Sequence, residues 1–361
     1  MKKIKIITIL GARPQFIKAA AFSKAIAQQN ELEEIIIHTG QHFDSNMSEV
    51  FFEEMQIPKP HYQLSINGLT HGAMTGRMLE EIETILISEK PNCVLVYGDT
   101  NSTLAGALAA KKLNIKVAHV EAGLRSFNMH MPEEINRILT DRISDFLFCP
   151  TAAAMENLKK EGFENMDCMI ENTGDIMYDS MLLFKEFSNK NASIAKNLNT
   201  EDFLLCTIHR AENTDDNSRL NTLFETLNIL AERQTIILPL HPRTKQKVTP
   251  IILHKNIIIT EPLGYFDMLY LLQKCKLVLT DSGGLQKEAF FNKKYCITLR
   301  DETEWVELVE SGNNMIAGSS PQKILSAYNH FIDLDFNSIA QFYGSGNTSQ
   351  KIIKSLKENL C

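Results

Sequence analysis

Polar residues able to move protons or hold anions stand directly after apolar runs at several points in this chain. Asp99 follows Val94-Leu-Val-Tyr-Gly98, Glu121 and Arg125 follow Val117-Ala-His-Val120, Arg13 and Lys18 follow Ile4 to Leu10, and Gln41 and His42 follow Ile35 to His38. Farther on, His209 and Arg210 follow Phe203-Leu-Leu-Cys-Thr207, and His241 and Arg243 follow Ile236-Ile-Leu-Pro-Leu240. With Glu133, the carboxylates and histidines of this set would supply acid and base groups, and its arginines and lysine would clamp an anion. Read singly, each has a plainer meaning. Asp99 or Glu121 would be a helix cap, His209 a satisfied histidine at a strand end, and Glu133 the partner of Arg137 in a solvated i,i+4 pair. Position in concert favours the chemical reading.

A different kind of site is written in Leu277-Val-Leu-Thr-Asp-Ser-Gly-Gly-Leu-Gln-Lys-Glu288, a buried strand that runs into a glycine turn and then a helix. Ser282 can cap that helix, Gly283 and Gly284 leave room at the turn, and free N–H groups at a helix start attract a phosphate. Glu288 falls about one turn later, where it could accept from ribose hydroxyls. An ordinary strand-to-helix turn with a serine cap reads the same way. The chain has no GxxxxGK[ST], GxGxxG, HExxH or GxSxG pattern and no Cys/His cluster, so no metal and no nucleophilic serine is expected.

These residues need a scaffold that brings strand ends together, and the chain alternates strand and helix patterns in the way that builds one. Strands are expected at Ile4 to Leu10, Ile35 to His38, Val94 to Tyr97, Val117 to Val120 and Phe146 to Cys149, separated by helical spacing. The alternation restarts at Phe203 to Thr207 and continues through Thr235 to Leu240, Ile257 to Thr260, Leu277 to Thr280, Tyr295 to Leu299 and Met315 to Ala317. This is α/β, with two Rossmann-like doubly wound domains. Residues 1–172 are assigned to the first and 173–346 to the second, with the closing helix in 347–361 packing back on the first. Ligands in such folds lie at the carboxyl ends of the strands, in a cleft that the domains face across.

Composition narrows the class further. At 361 residues the chain exceeds one usual core. Its 44% hydrophobic and 22% charged residues suit a soluble globular protein rather than a membrane-spanning one. A net charge of -7 argues against nucleic acid as a partner. Seven scattered cysteines without a CxxC pair suit reduced thiols in a cytoplasmic enzyme. The apolar start, Met1 to Leu10, is too short for a secretory signal and reads as the first strand.

Taken in order, Gly11-Ala-Arg-Pro-Gln-Phe-Ile-Lys18, Gly98-Asp-Thr100, His119-Val-Glu-Ala-Gly-Leu-Arg125, Pro132-Glu-Glu-Ile-Asn-Arg137, His209-Arg210, Asp281-Ser-Gly-Gly284, Arg300-Asp-Glu-Thr-Glu304 and Tyr343-Gly-Ser-Gly346 resemble the non-hydrolysing UDP-N-acetylglucosamine 2-epimerases. The resemblance covers nearly the whole chain. It implies a GT-B fold, a homodimer, and inversion at C2 of a UDP-2-acetamido sugar by loss of the C2 proton, departure of UDP to a glycal, and return of both. It implies Asp99, Glu121, Glu133 and His209 as catalytic groups and Arg13, Ser282, Gly283, Gly284 and Glu288 as UDP ligands, with His241 and Arg243 near the diphosphate or sugar. Lys18, Gln41, Arg125 and Arg210 complete the expected binding set. No cofactor is required, because no hydride is transferred.

Departures from the commonest family pattern concern the substrate. Ala12, Gln15, Ala211 and Trp305-Val306 replace its usual residues, and the set is closer to the branch acting on UDP-2,3-diacetamido-2,3-dideoxy-glucuronate, which feeds bacterial surface polysaccharide synthesis. That substrate is favoured over UDP-GlcNAc. A glucuronate carboxylate could be held bidentately by an Arg such as Arg243, and a neutral Gln15 removes a repulsive neighbour. Gln41 is one of a Gln pair through which some members are activated by a second substrate molecule, but Asp44 replaces the other. A GT-B glycosyltransferase, a hydrolysing epimerase and a non-catalytic nucleotide-sugar sensor are the alternatives.

Overall fold

The computed structural model describes residues 3–41, 57–194, 202–240, 242–248, 251–337 and 341–360. It divides into two compact units, Met1–Leu183 with Gln341–Cys361, and Phe184–Ala340. Each is built around one parallel sheet. The first unit holds β1 (Ile4–Leu10), β2 (Leu32–His38), β3 (Tyr62–Gln63), β4 (Cys93–Tyr97), β5 (Lys116–Val120), β6 (Phe146–Cys149) and β7 (Met169–Asn172), in the order β3-β2-β1-β4-β5-β6-β7. The second holds β8 (Phe203–Thr207), β9 (Thr235–Pro239), β10 (Ile257–Thr260), β11 (Leu277–Thr280), β12 (Tyr295–Thr298) and β13 (Asn314–Ile316), in the order β10-β9-β8-β11-β12-β13.

Strand order follows from composition. β4 reads Cys-Val-Leu-Val-Tyr and β11 reads Leu-Val-Leu-Thr, and both are buried throughout, as strands with helices on both faces must be. In the first sheet the order reverses between β1 and β4, and in the second between β8 and β11. Loops leaving such a switch point diverge and open a crevice at the strand ends. The residues after β1 and β4 are Gly11-Ala-Arg13 and Gly98-Asp99, and those after β8 and β11 are Ile208-His-Arg210 and Asp281-Ser282. The candidate chemistry therefore sits at the switch point of each sheet.

The last helix, Thr348–Leu360, belongs to the first unit and packs on the helix Arg13–Ile26. Its first N–H groups are capped from a distance. The Asp179 carboxylate accepts from Thr348 N at 3.1 Å and Ser349 N at 2.8 Å, which satisfies two of the orphan donors that a helix start leaves. Beside it Asp175 N donates to Tyr343 O at 3.0 Å, across Gly174, where a Cβ would come within 2.8 Å of that same carbonyl. Among the described residues no helix is long and apolar enough to cross a membrane. Substituting Asp179→Ala should uncap the last helix and destabilise the protein by about 1–2 kcal/mol, a fall of roughly 3–6 °C in the calorimetric Tm; an unchanged Tm would show that the cap contributes nothing.

Candidate active site

The first strand-end loop is held rigid by a side chain the sequence reading treated only as a change of charge. Gln15, fully buried, accepts through Oε1 from Gly11 N at 2.7 Å and Ala12 N at 3.0 Å. Its Nε2 donates to Tyr97 O at 2.9 Å and to the hydroxyls of Thr100 and Thr103. The amide uses both of its faces, and a carboxylate could not donate to the Tyr97 carbonyl. The N–H groups of Gly11 and Ala12 are therefore committed to Gln15, and Arg13, which follows them, is half-buried. A Cβ on Gly11 would overlap the hydroxyls of Ser102 and Thr39. Gln41 fixes the first of these, its Oε1 accepting from Ser102 N at 3.0 Å and Ser102 Oγ at 2.7 Å. Its carbonyl oxygen thus caps the helix Asn101–Lys112.

The carboxylates gather at the ends of β4 and β5. Gly98 takes φ +63, and Thr100, not Asp99, caps the helix that follows, accepting from Thr103 N. Asp99 is freed for another partner. It is 30% exposed and pairs with Arg137, whose other arm donates to Glu134 at 2.9 Å. Glu121 adopts φ +74, a left-handed backbone that disfavours a residue with a Cβ and marks functional sites. Its carboxylate pairs with Lys18, with only 9% and 7% of the two side chains exposed. Gly98 lies against this pair, and a Cβ there would approach Glu121 Oε2 to 3.1 Å and Lys18 Nζ to 3.2 Å. Lys18 therefore serves Glu121 directly.

Behind these groups runs a buried chain of charge. His119 Nε2 donates to Gly98 O at 2.7 Å, since a carbonyl can only accept, and its Nδ1 faces Asp141 Oδ1 at 2.7 Å. Burial pushes the Asp141 carboxyl up, but His119 and Arg125 outweigh it and hold the group below the usual carboxylate range. Arg125 is a correction to the expected ligand set. Its guanidinium is buried, with Nη1 on Asp141 and Leu124 O and with Nε and Nη2 on Glu161, so four of its donors are taken within the fold. Glu134, which sequence reasoning passed over, is fully buried and accepts from Ser126 N, Ser126 Oγ and Phe127 N. It anchors the loop before the helix Pro132–Ile143. Its neighbour Glu133 stays half-buried at that helix start.

In the second unit the organising residue is Asp281, also missed. The side chain is fully buried and accepts from His209 N at 2.9 Å, Arg210 N at 3.0 Å and Asn213 Nδ2 at 3.1 Å, with His209 Nδ1 at 3.1 Å. The His209 ring is 53% exposed. Ser282 caps the helix Gly283–Phe291, its Oγ accepting from Leu285 N. The two glycines differ. A Cβ on Gly283 would sit 2.5 Å from Glu304 Oε1, whose companion oxygen Oε2 accepts from the buried Arg300 at 2.9 Å, whereas Gly284 has nothing within 4 Å. A side chain at Gly283 would therefore displace the Glu304 carboxylate from its place beside Arg300, and Gly284 leaves open space. Glu288 is half-buried on the same helix. His241 and His42 lie outside the described residues, as does Asp44, and Arg243 is described only as part of the helix Pro242–Val248.

Residues 24–357 match the family profile described as UDP-N-acetylglucosamine 2-epimerase. The chain belongs to that family. A UDP-2,3-diacetamido-2,3-dideoxy-D-glucuronate 2-epimerase of Pseudomonas aeruginosa is 55% identical over 354 residues, covering 98% of this chain and 99% of the relative. A UDP-N-acetylglucosamine 2-epimerase of Methanocaldococcus jannaschii is 43% identical, over 98% and 99%. Solved structures agree. The M. jannaschii epimerase in complex with UDP-GlcNAc and UDP superposes with a TM-score of 0.91, covering 98% of this chain and all of that one. The Neisseria meningitidis epimerase bound to UDP-GlcNAc gives 0.89 at 30% identity, over 98% and 100%. The chain is thus an epimerase-family isomerase of the GT-B type, and its two parallel sheets bring Arg13, Asp99, His209 and Ser282 to their switch points.

The two glycines separate packing from binding. Gly283→Ala should lower both the Tm of the free epimerase and its affinity for UDP, whereas Gly284→Ala should leave the Tm unchanged and weaken UDP binding roughly tenfold or more, a loss of about 1.4 kcal/mol or more. Thermal unfolding and calorimetric titration check this, and identical behaviour of the two variants would contradict it.

Proposed function

We infer that this epimerase inverts C2 of UDP-2,3-diacetamido-2,3-dideoxy-glucuronate without hydrolysis, giving the manno epimer, with UDP-GlcNAc as the poorer substrate. The observation that carries the substrate is the difference in similarity along the full chain. Identity is 55% to the diacetamido-glucuronate epimerase and 43% to a UDP-N-acetylglucosamine epimerase. The reaction is redox-neutral. A base takes the C2 proton, the C1–O bond breaks as UDP leaves with its electron pair, and a C1=C2 glycal results. Delivery of a proton to the opposite face of C2 and attack of the UDP oxygen on C1 complete the inversion.

The residues divide these tasks. Asp99, Glu121 and Glu133 of the first unit, with His209 of the second, are the groups for proton transfer at C2 and at the leaving oxygen. Arg137 on Asp99 and Lys18 on Glu121 fix two of these carboxylates by ion pairs. UDP is assigned to Ser282, Gly283, Gly284 and Glu288, with Arg13, Arg210, His241 and Arg243 as its cations and donors. Developing charge on the departing diphosphate is stabilised by the N–H groups at the start of the helix Gly283–Phe291. Retention of UDP is what separates inversion from hydrolysis. We assign a homodimer and a role in surface polysaccharide synthesis on the family resemblance alone.

Turnover of the two UDP-sugars, followed by chromatography, tests this reading. The diacetamido-glucuronate should show the higher kcat/KM by about tenfold or more, with no free sugar released; a preference for UDP-GlcNAc would overturn the substrate, and accumulating free sugar would overturn retention. Glu133→Gln should lower kcat by roughly 100-fold or more with UDP affinity preserved. Activity within a fewfold of the parent would make Glu133 a surface residue.

A further inference from the structure

His209 comes from β8 and the glycine turn that seats the nucleotide comes from β11, and one carboxylate joins them. Asp281 stands between the last residue of β11 and the serine that caps the nucleotide helix. The two strand ends are tied just before it. Asp281 N donates to Thr207 O at 3.3 Å, and the hydroxyls of Thr207 and Thr280 lie 2.6 Å apart. Asp281 Oδ2 then accepts from His209 N, Arg210 N and Asn213 Nδ2, and Asn213 is itself fixed by donation to Leu299 O at 2.9 Å. The carboxylate has no freedom to rotate. Its Oδ1 lies 3.1 Å from His209 Nδ1.

The charge state follows from the donors. Burial pushes the Asp281 carboxyl up, but bonds from His209, from the Arg210 N–H and from Asn213 outweigh it and hold the group below the usual carboxylate range. An ionised carboxylate only accepts. At 3.1 Å from such an acceptor, Nδ1 is the ring nitrogen placed to carry a hydrogen, which leaves Nε2 to accept one. Among the described residues, His209 is also the only ionisable cation within 4 Å of Asp281. A proton arriving at Nε2 would give that buried carboxylate its counter-charge.

We propose that Asp281 is a positioning residue, which holds His209 in the Nδ1–H tautomer with Nε2 ready to accept a proton and fixes that nitrogen relative to the nucleotide seat built from the next residue, Ser282. The proposal rests on the reading of His209 as an acid–base group. It explains why an aspartate, and not another cap, opens the turn. Ser282 Oγ already accepts from Leu285 N, and the carboxylate before it turns to His209 and not to the helix start. The arrangement follows the general logic of a base oriented by a buried carboxylate.

The experiment has a part that needs no variant. Nitrogen-15 NMR of the full-length protein, labelled at histidine and assigned by loss of the signal in H209Q, should show His209 protonated at Nδ1 and unprotonated at Nε2 in its neutral form; the opposite tautomer would overturn the proposal. In D281N the amide oxygen still accepts the backbone N–H groups while its NH2 faces the ring. The hydrogen should move to Nε2 and kcat should fall roughly 100-fold or more, with UDP affinity within about threefold. Because Asp281 acts through His209, D281N should cost no further turnover in an H209Q background. Multiplying losses with H209Q inactive, or a matching loss of UDP affinity, would make Asp281 merely structural. Full activity in H209Q would instead remove His209 from the chemistry, and the positioning role with it.

Discussion

The buried Lys18–Glu121 pair is the contact on which the first unit's site depends. It ties the helix Arg13–Ile26 to the end of β5, against the turn after β4. Glu121 must take a left-handed backbone to present its carboxylate there, and Gly98 must lack a side chain to let the pair lie against it. A residue with a Cβ pays about 1–2 kcal/mol for that conformation, and two charges are taken out of water. Neither is recovered as net stability, since a buried ion pair is on balance close to neutral against an apolar substitute. Removing one partner would be severe, about 3–5 kcal/mol, because the other charge would remain buried alone. The pair's value is geometrical, for it sets where Glu121 and the Gly98–Asp99 turn can be.

The same device recurs through the molecule. Buried carboxylates that accept backbone N–H groups hold the loops that carry exposed functional residues. Asp281 does this for His209 and Arg210, Glu134 for Ser126 and Phe127, and Asp179 for the start of the last helix. A charged acceptor makes stronger bonds than a neutral one and so restrains a loop that lacks a ladder of its own. His119, tied to the Gly98 carbonyl and to Asp141, extends that restraint from the β4 turn to Arg125. The partly exposed Asp99 and His209 thus rest on buried, hydrogen-bonded charge.

Much of this was legible in the residues. β1, β4, β5, β8 and β11 are apolar runs bounded by glycine or polar residues, so both their place and the chemistry at their ends could be read. β3 was not, being two residues, Tyr62 and Gln63, paired only at the sheet edge, and β7 was not because Met169-Ile-Glu-Asn172 is half-exposed and carries one β-branched residue. Roles were harder to read than positions. Gln41 and Arg125 follow strands as ligand residues do, yet their side chains turn to Ser102 and to Asp141 and Glu161. Glu133 stood out and Glu134 did not, although it is Glu134 that is buried at the loop. Sequence position shows which residues reach a strand end; the partners that take up their donors come from other elements, 16 positions away for Arg125 and Asp141 and 103 for Lys18 and Glu121.

The claim that these groups exchange a proton at C2 while UDP is retained is tested most directly in heavy water. The protein is incubated with UDP-2,3-diacetamido-2,3-dideoxy-glucuronate and the C2 proton is followed by NMR. The account predicts that the gluco C2 signal disappears as the manno epimer grows in already deuterated at C2, with UDP still attached to the sugar. Epimer that keeps its C2 proton, or substrate that shows neither epimer nor deuterium, would contradict it.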